Sequence, residues 1–248
     1  MLSNCAALIL VQNDEYFLSY TLGSTIGLFE KYIVYDVGSS DSTKNILNAF
    51  VDQMKDSADF VVRFLPDCPP KVQGVFRNSM IAEAGTDFYY LLDGDEVYPP
   101  ASLQAIRENY DEFTSSGRLY GVVWRTEVAR NLKGKFSEIR THHRLYHRTA
   151  TWGGSHPGEY PIIKQEPNTE FMFSKLSNIY HFHNTDRSSM DHLSHKRADR
   201  KNKKTYSPGV IEEFNLLEEV PILRKPIMNF PVNPYLQELQ AEYANANG

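Results

Sequence analysis

The chain has 248 residues, enough for one large domain with a buried core. Its composition is that of an ordinary globular protein, and a net charge of -5 gives no electrostatic reason to expect a nucleic-acid partner. The two cysteines, Cys5 and Cys68, argue against a disulfide framework or a cysteine-built zinc site, and no apolar run nears the roughly 20 residues that cross a bilayer.

The first residues carry no basic region ahead of the apolar run Ala6 to Val11, so a secretory leader is not expected; a reduced cytoplasmic setting, a host's included, is. That run is the continuous apolar segment a buried parallel strand requires. A helix is expected from Glu15 to Phe29, with Phe17, Leu18, Leu22, Ile26 and Phe29 at three- and four-residue spacings. Tyr32 to Tyr35 reads as a second strand and Asp36 to Asp41 as a polar turn. Ser42 or Asp41 can cap the helix that follows, which turns Ile46, Leu47 and Phe50 inward.

Phe60 to Leu65 is a third strand, closed by a loop from Pro66 to Pro70. A helix over Val72 to Ala84 precedes a fourth strand, Phe88 to Leu92, and Pro99-Pro100 opens another helix. After Gly117 the pattern changes. Tyr120 to Trp124, Ile139 to Tyr146 and Phe171 to Phe182 read as strands, and Met190 to Lys204 as a basic helical stretch. The tail beyond Pro208 mixes helix with Pro-rich extended chain. Alternating strands and helices argue for α/β layering about one continuous sheet.

The strongest local signal is Leu91-Leu92-Asp93-Gly94-Asp95-Glu96. Carboxylates at the end of a buried parallel strand sit where open α/β sheets bind ligands. If extended geometry persists, Asp93 and Asp95 point the same way. Oxygen ligands suit Mg²⁺ or Mn²⁺, ions that bridge phosphates and neutralise a departing diphosphate.

Three further motifs keep company with that turn: Gln12-Asn13-Asp14-Glu15, Asp36-Val37-Gly38-Ser39-Ser40-Asp41-Ser42-Thr43, and Gly74-Val75-Phe76-Arg77-Asn78. In this order the four resemble the family 2 glycosyltransferases of the GT-A fold, in particular bacterial and viral members. The resemblance covers residues 5 to 100 well and 135 to 205 more loosely. It implies a GT-A-like mixed sheet flanked by helices, with a nucleotide-sugar half over 1–117 and an acceptor half over 118–248. On the donor side it implies Asn13, Asp36, Gly38, Ser39, Arg77 and Asn78, with Asp93 on the ribose or metal and Asp95 on the metal. Val37 stands where many members carry an acidic or amide residue that reads the base.

Two histidine segments complete the implied site. Trp152-Gly153-Gly154-Ser155-His156-Pro157-Gly158-Glu159 is similar to the family's Trp-x-Gly-x-x-His-Glu element, with Pro157-Gly158 inserted. It makes Glu159 the first choice of base for the acceptor hydroxyl and His156 the second. In Tyr180-His181-Phe182-His183, strand geometry puts both imidazoles on one side, and either can complete a metal site; the resemblance favours His181. Lys196 and Arg197, in the run from His195 to Lys204, are placed to hold a diphosphate.

The expected activity is therefore metal-dependent transfer, with inversion, of a sugar from a nucleoside-diphosphate donor to a glycan or other hydroxyl acceptor. Two alternatives are a nucleotidyltransferase and a non-catalytic nucleotide- or carbohydrate-binding module. The former usually carries a Gly-rich basic loop after its first strand, where this chain has Gln12 to Glu15.

Overall fold

A computed structural model describes residues 1–67, 72–154, 160–162, 169–185, 188 and 210–247. It is the expected class: a mixed α/β sheet flanked by helices. Four parallel strands, β1 (Leu2–Val11), β2 (Phe29–Val37), β3 (Asp59–Leu65) and β4 (Phe88–Leu92), lie in the order β3-β2-β1-β4. Next to β4 come antiparallel β8 (Arg140–His147) and then β6 (Tyr120–Glu127). The far edge of β6 carries β11 (Glu170–Met172) and β12 (Ile179–His181), both parallel to it. Antiparallel to β12 lies β5 (Glu96–Val97), two residues long.

Alternation along β1 explains the layering. Ala7, Ile9 and Val11 join one core with Leu22, Ile46, Phe50, Ile106 and Phe113. These come from α1 (Leu18–Thr25), α2 (Thr43–Met54) and α4 (Pro100–Ser115). Ala6 and Leu8 face the other way, onto Met80 and Ala84 of α3 (Gln73–Ala84) and onto Trp152 of β9 (Thr151–Gly153). A third core packs Phe17, Val97 and Phe182 under the C-terminal segments α5 (Leu216–Glu219) and α6 (Pro234–Asn247). Among the described residues, no helix is long and apolar enough to cross a membrane.

One short connection shapes the sheet. The step from Leu92 to Glu96 reaches at most roughly 14 Å. On a flat sheet, β4 and β5 would be four strand spacings apart, roughly 19 Å. The sheet must therefore curl, and the curl carries β12 back beside the end of β4.

Three elements differ from the sequence reading. The expected helix over Glu15 to Phe29 runs only from Leu18 to Thr25. Residues before it are tied into loop contacts, the Ser24 and Thr25 hydroxyls bond back to the Thr21 carbonyl, and Gly27 at φ 78° turns the chain so that Phe29 starts β2. The expected strand over Phe171 to Phe182 is broken by a 3₁₀ turn at Lys175–Ser177, where Ser177 returns a hydroxyl bond of 2.8 Å to the Ser174 carbonyl. Extended geometry also stops at Leu92, as the site below requires. The basic stretch Met190 to Lys204 lies outside the described residues.

Of the two candidate caps for α2, Asp41 serves: its Oδ1 accepts from the Thr43 amide at 2.9 Å. Gly38 is required by two constraints. Its φ is +87°, and a Cβ there would lie 2.3 Å from the Asp67 Cα. Gly38→Ala combines a left-handed backbone with a backbone clash, and is expected to destabilise the fold by about 2–4 kcal/mol in urea unfolding. An unchanged midpoint would show that Asp67 moves aside freely.

Candidate active site

The acidic motif forms a tight turn at the carboxyl end of β4, closed by the Glu96 amide donating to the Asp93 carbonyl at 3.2 Å. Its backbone is held from two sides: the Thr21 hydroxyl donates to Gly94 O (3.0 Å) and the Phe182 amide to Asp95 O (2.9 Å). Gly94 is packed so closely that a Cβ would sit 3.0 Å from both the Asp14 carboxylate and Val11. Asp93 and Asp95 are thus not aligned by strand alternation, and they converge on His181 from the turn.

Antiparallel pairing sets His181 opposite Glu96. The His181 Nε2 lies 3.4 Å from Asp95 Oδ1, and its Nδ1 is 3.0 Å from both oxygens of Glu127, the last residue of β6. An Nδ1–H donated to Glu127 turns Nε2 toward Asp95, the usual way a carboxylate orients a ligating imidazole. The His183 ring stacks on His181 with centroids 5.2 Å apart. Asp95, His181 and His183 each present one ligand atom, all within 4.8 Å of one another. One carboxylate and two imidazoles on one side of a site make a chemically coherent donor set for a divalent ion.

Behind this group lies a buried cation. Arg144, on β8, donates to Asp93 Oδ2 at 2.7 Å and to Glu96 Oε1. The β6–β8 register shifts at this point, so that Gly121 faces Leu145 and Val122 faces His143. Arg144 is the extra residue of that bulge, and bulges re-aim side chains. Burial alone would raise the Asp93 carboxyl, but Arg144, with Arg77, holds it well below the usual carboxylate range. Glu96, sealed from solvent, is raised by burial more than Arg144 lowers it. Arg125 extends the network, 2.8 Å from Glu127 and 2.8 Å from His142 Nδ1.

The loops after β1 and β2 interlock beside the turn. The Asn13 amide donates to Ser39 Oγ (2.9 Å), and Asn13 Oδ1 accepts from the Ser40 amide (2.9 Å). The Asp14 amide donates to Thr43 Oγ1, and Glu15 Oε2 accepts from the Ser42 amide at 3.0 Å. Asp36 is fully buried beneath its turn, where Oδ1 accepts from the Ser39 amide at 2.8 Å. The expected donor-side residues Asn13, Asp36, Gly38 and Ser39 thus form one latched unit.

Arg77 stacks over Trp152, 4.9 Å from the ring centroid. Asn78 exchanges two hydrogen bonds with the Trp152 backbone, at 2.9 and 2.7 Å, and so clamps α3 to β9. His156, Glu159, Lys196 and Arg197 lie outside the described residues. Sequence reading missed Arg144, Glu127 and Glu96, and gave His142 no role. The one signal near them was the place of His142 and Arg144 at strand spacing within the polar run Arg140 to Arg144, which does not by itself single out Arg144.

No family model matches the chain, and no curated protein matches it. Among solved structures, TarS of S. aureus (residues 1–349) is similar at 13% identity and TM-score 0.43, covering 72% of this chain and 60% of that one. The mannosyltransferase PcManGT of Pyrobaculum calidifontis, in complex with GDP-Man and Mn²⁺, is similar at 14% identity and TM-score 0.39, covering 52% of this chain and 36% of that one. A putative glucose-1-phosphate thymidylyltransferase of Bacillus anthracis, in complex with a sucrose, is similar at 14% identity and TM-score 0.40, covering 58% and 72%. The chain spans 60% of the length of the first of these. Likenesses this partial assign neither an activity nor a residue role.

The geometry has a consequence for pH. Burial alone would lower the His181 imidazolium, but Asp95 and Glu127 outweigh it and raise His181 to about 9. Because this lies above the unfolded value of about 6.5, its ion pairs stabilise the metal-free fold fully below that pH. The contribution is lost as pH climbs through about 9. An ion bound at His181 must displace the proton, so Mn²⁺ uptake at pH 7 is expected to release about one proton per ion, with affinity rising toward pH 9. Calorimetry in buffers of different ionisation enthalpy measures this; uptake without proton release would remove His181 from the ligand set.

Proposed function

We propose that the protein is a metal-dependent, inverting glycosyltransferase of the family 2 type on a GT-A-like fold. It moves a sugar from a nucleoside-diphosphate donor to a glycan or other hydroxyl acceptor in a cytoplasmic setting. The observation that carries the reading is the convergence of Asp95, His181 and His183 at the carboxyl end of the parallel strands, beside the latched loops. Ligands of open α/β sheets bind at that edge.

Asp95, His181 and His183 would hold the ion, with Glu127 orienting His181. A donor set with two imidazoles favours Mn²⁺ over Mg²⁺, which takes oxygen ligands in a strict octahedron. When bound, the ion supplies Lewis-acid neutralisation of the charge on the departing diphosphate. Asn13, Asp36, Gly38 and Ser39 shape the wall against which the nucleoside rests. Arg77, held flat by Trp152, reaches the base or a phosphate, Asn78 fixes that arm, and Asp93 faces the ribose. Lys196 and Arg197 are the further cations for the diphosphate. Glu159 is the base that takes the acceptor proton, with His156 second.

The loop after β1 supports sugar transfer over nucleotidyl transfer. Its Asn13, Asp14 and Glu15 amides are donated to Ser39, Thr43 and Asp41, which leaves no amide cradle there for a triphosphate.

A panel of nucleotide sugars with Mn²⁺, scored by slow donor hydrolysis and thermal shift, tests the activity and names the sugar; a donor that is bound but never hydrolysed or transferred points to a binding module. In titrations of UDP and GDP, Asp95→Ala is expected to lose the Mn²⁺-dependent part of affinity, at least tenfold, whereas Asp93→Asn keeps it. An Asp95→Ala protein with metal-dependent affinity intact would refute the site.

Glu159→Gln is expected to keep donor binding while turnover falls by about 10²–10⁴. His156→Ala should be milder. Near-normal turnover of Glu159→Gln under saturating donor would move the role to His156.

A further inference from the structure

The strand order gives the acidic turn two different flanks. On one side lie β1 and β2 with their latched loops; on the other lies β8, next to β4, and then β6. A donor with its nucleoside on the first flank and its diphosphate at the turn would carry its sugar toward the second. Leu145 faces Tyr90 across the β4–β8 pair, so three residues away along β8, beyond the end of β4, His142 stands level with the turn. Asp93 and His181 both lie near enough to act on its charge.

The His142 ring is half-buried, and the Arg125 guanidinium lies 2.8 Å from its Nδ1. Arginine can only donate, so Nδ1 accepts and the proton of the neutral ring belongs on Nε2. Arg125 is itself anchored, because its second terminal nitrogen pairs with Glu127 at 2.8 Å. Burial, then Arg144, Arg125 and His181, outweigh Asp93 and keep the ring uncharged. Among the described residues Nε2 has no hydrogen-bond partner. This flank therefore offers an uncharged N–H donor whose tautomer is fixed by its neighbour.

We infer that His142 is a specificity residue whose Nε2–H donates to a hydroxyl oxygen of the donor's sugar. The inference rests on the transferase reading above and adds a sugar contact to it. Phosphate oxygens are bound more strongly by charged donors, whereas a neutral N–H suits an uncharged hydroxyl.

The test compares UDP and GDP with UDP-glucose, UDP-N-acetylglucosamine and GDP-mannose, by calorimetry with Mn²⁺ on the full chain. His142→Phe is expected to bind the preferred nucleotide sugar about three- to tenfold more weakly, with the Kd of the matching diphosphate within about twofold. His142→Gln should recover most of the loss, since its amide can accept from Arg125 and donate onward. Nitrogen-15 NMR of histidine-labelled protein should show His142, assigned by its absence from His142→Gln, as the neutral Nε2–H tautomer between pH 6 and 8.

An Nδ1–H tautomer or a doubly protonated ring at pH 6 would overturn the inference. So would a His142→Phe protein that loses diphosphate and nucleotide sugar equally, or neither. Should His142→Phe fail to fold, His142→Ala read by the same ratio decides, together with the tautomer. A wild-type chain that binds none of the five probes overturns the transferase reading itself, a result distinct from a binding-competent chain indifferent to His142.

Discussion

The site depends on one buried ion-pair knot, the Arg144 guanidinium between Asp93 and Glu96. It lies where the chain leaves the centre of the sheet and must reach its far edge in a few residues. Three carboxylates are crowded into that turn, and Asp95 and Glu96 are nearly or fully buried. Without a cation, desolvation and mutual repulsion would open the turn. Burying such a pair gives little net stability over an apolar packing, but losing one partner typically costs about 3–5 kcal/mol. The knot therefore acts as a geometric lock that fixes the turn to β8.

From that lock a chain of alternating charge runs outward. His181 lies between Asp95 and Glu127, and Arg125 lies between Glu127 and His142. Each member has a partner of opposite or complementary character, so the buried polar groups support one another. The two histidines respond in opposite senses. His181, between two carboxylates, is raised to about 9 despite its burial. His142, half-buried beside Arg144 and Arg125, is pushed well below the usual imidazole range by desolvation and by the two guanidiniums. One imidazole is tuned to be cationic until something displaces its proton, and the other to stay neutral against the arginine.

The opposite wall of the site is built by hydrogen bonding rather than charge. Loops after β1 and β2 exchange side-chain and main-chain bonds from Asn13 to Thr43, and Asn78 does the same for α3 and Trp152. Residues that motif reading places around a nucleotide thus hold one another's backbones in place. A pre-organised wall loses little entropy when a ligand arrives. Such latching also accounts for motif residues such as Asp36, which is sealed beneath the turn it shapes.

The sequence by itself determined the parallel half of the fold. The apolar run Ala6 to Val11, the strands over Phe60 to Leu65 and Phe88 to Leu92, and the inward face of Ile46, Leu47 and Phe50 are local periodic signals, and they appear at or near their expected bounds. It also picked out the acidic turn and the pair His181 and His183, because several carboxylates and histidines at strand ends are conspicuous. What it could not determine depends on register and closure. The two-residue strand β5 has no periodicity to read, and only the curl of the sheet brings it against β12. Arg144 closes a run of five consecutive polar residues from Arg140, and Glu127 follows Arg125 and Thr126 on its strand, so neither is singled out by its neighbours. Arg144 reaches the acidic turn through a bulge, and Glu127 reaches His181 because parallel pairing of β6 and β12 sets the two side by side. Strand alternation is a property of neighbouring residues, whereas a bulge and a pairing register arise from packing between segments far apart in the chain. That is why the acidic turn and the histidines were visible in the sequence and the charges that position them were decided only by the tertiary structure.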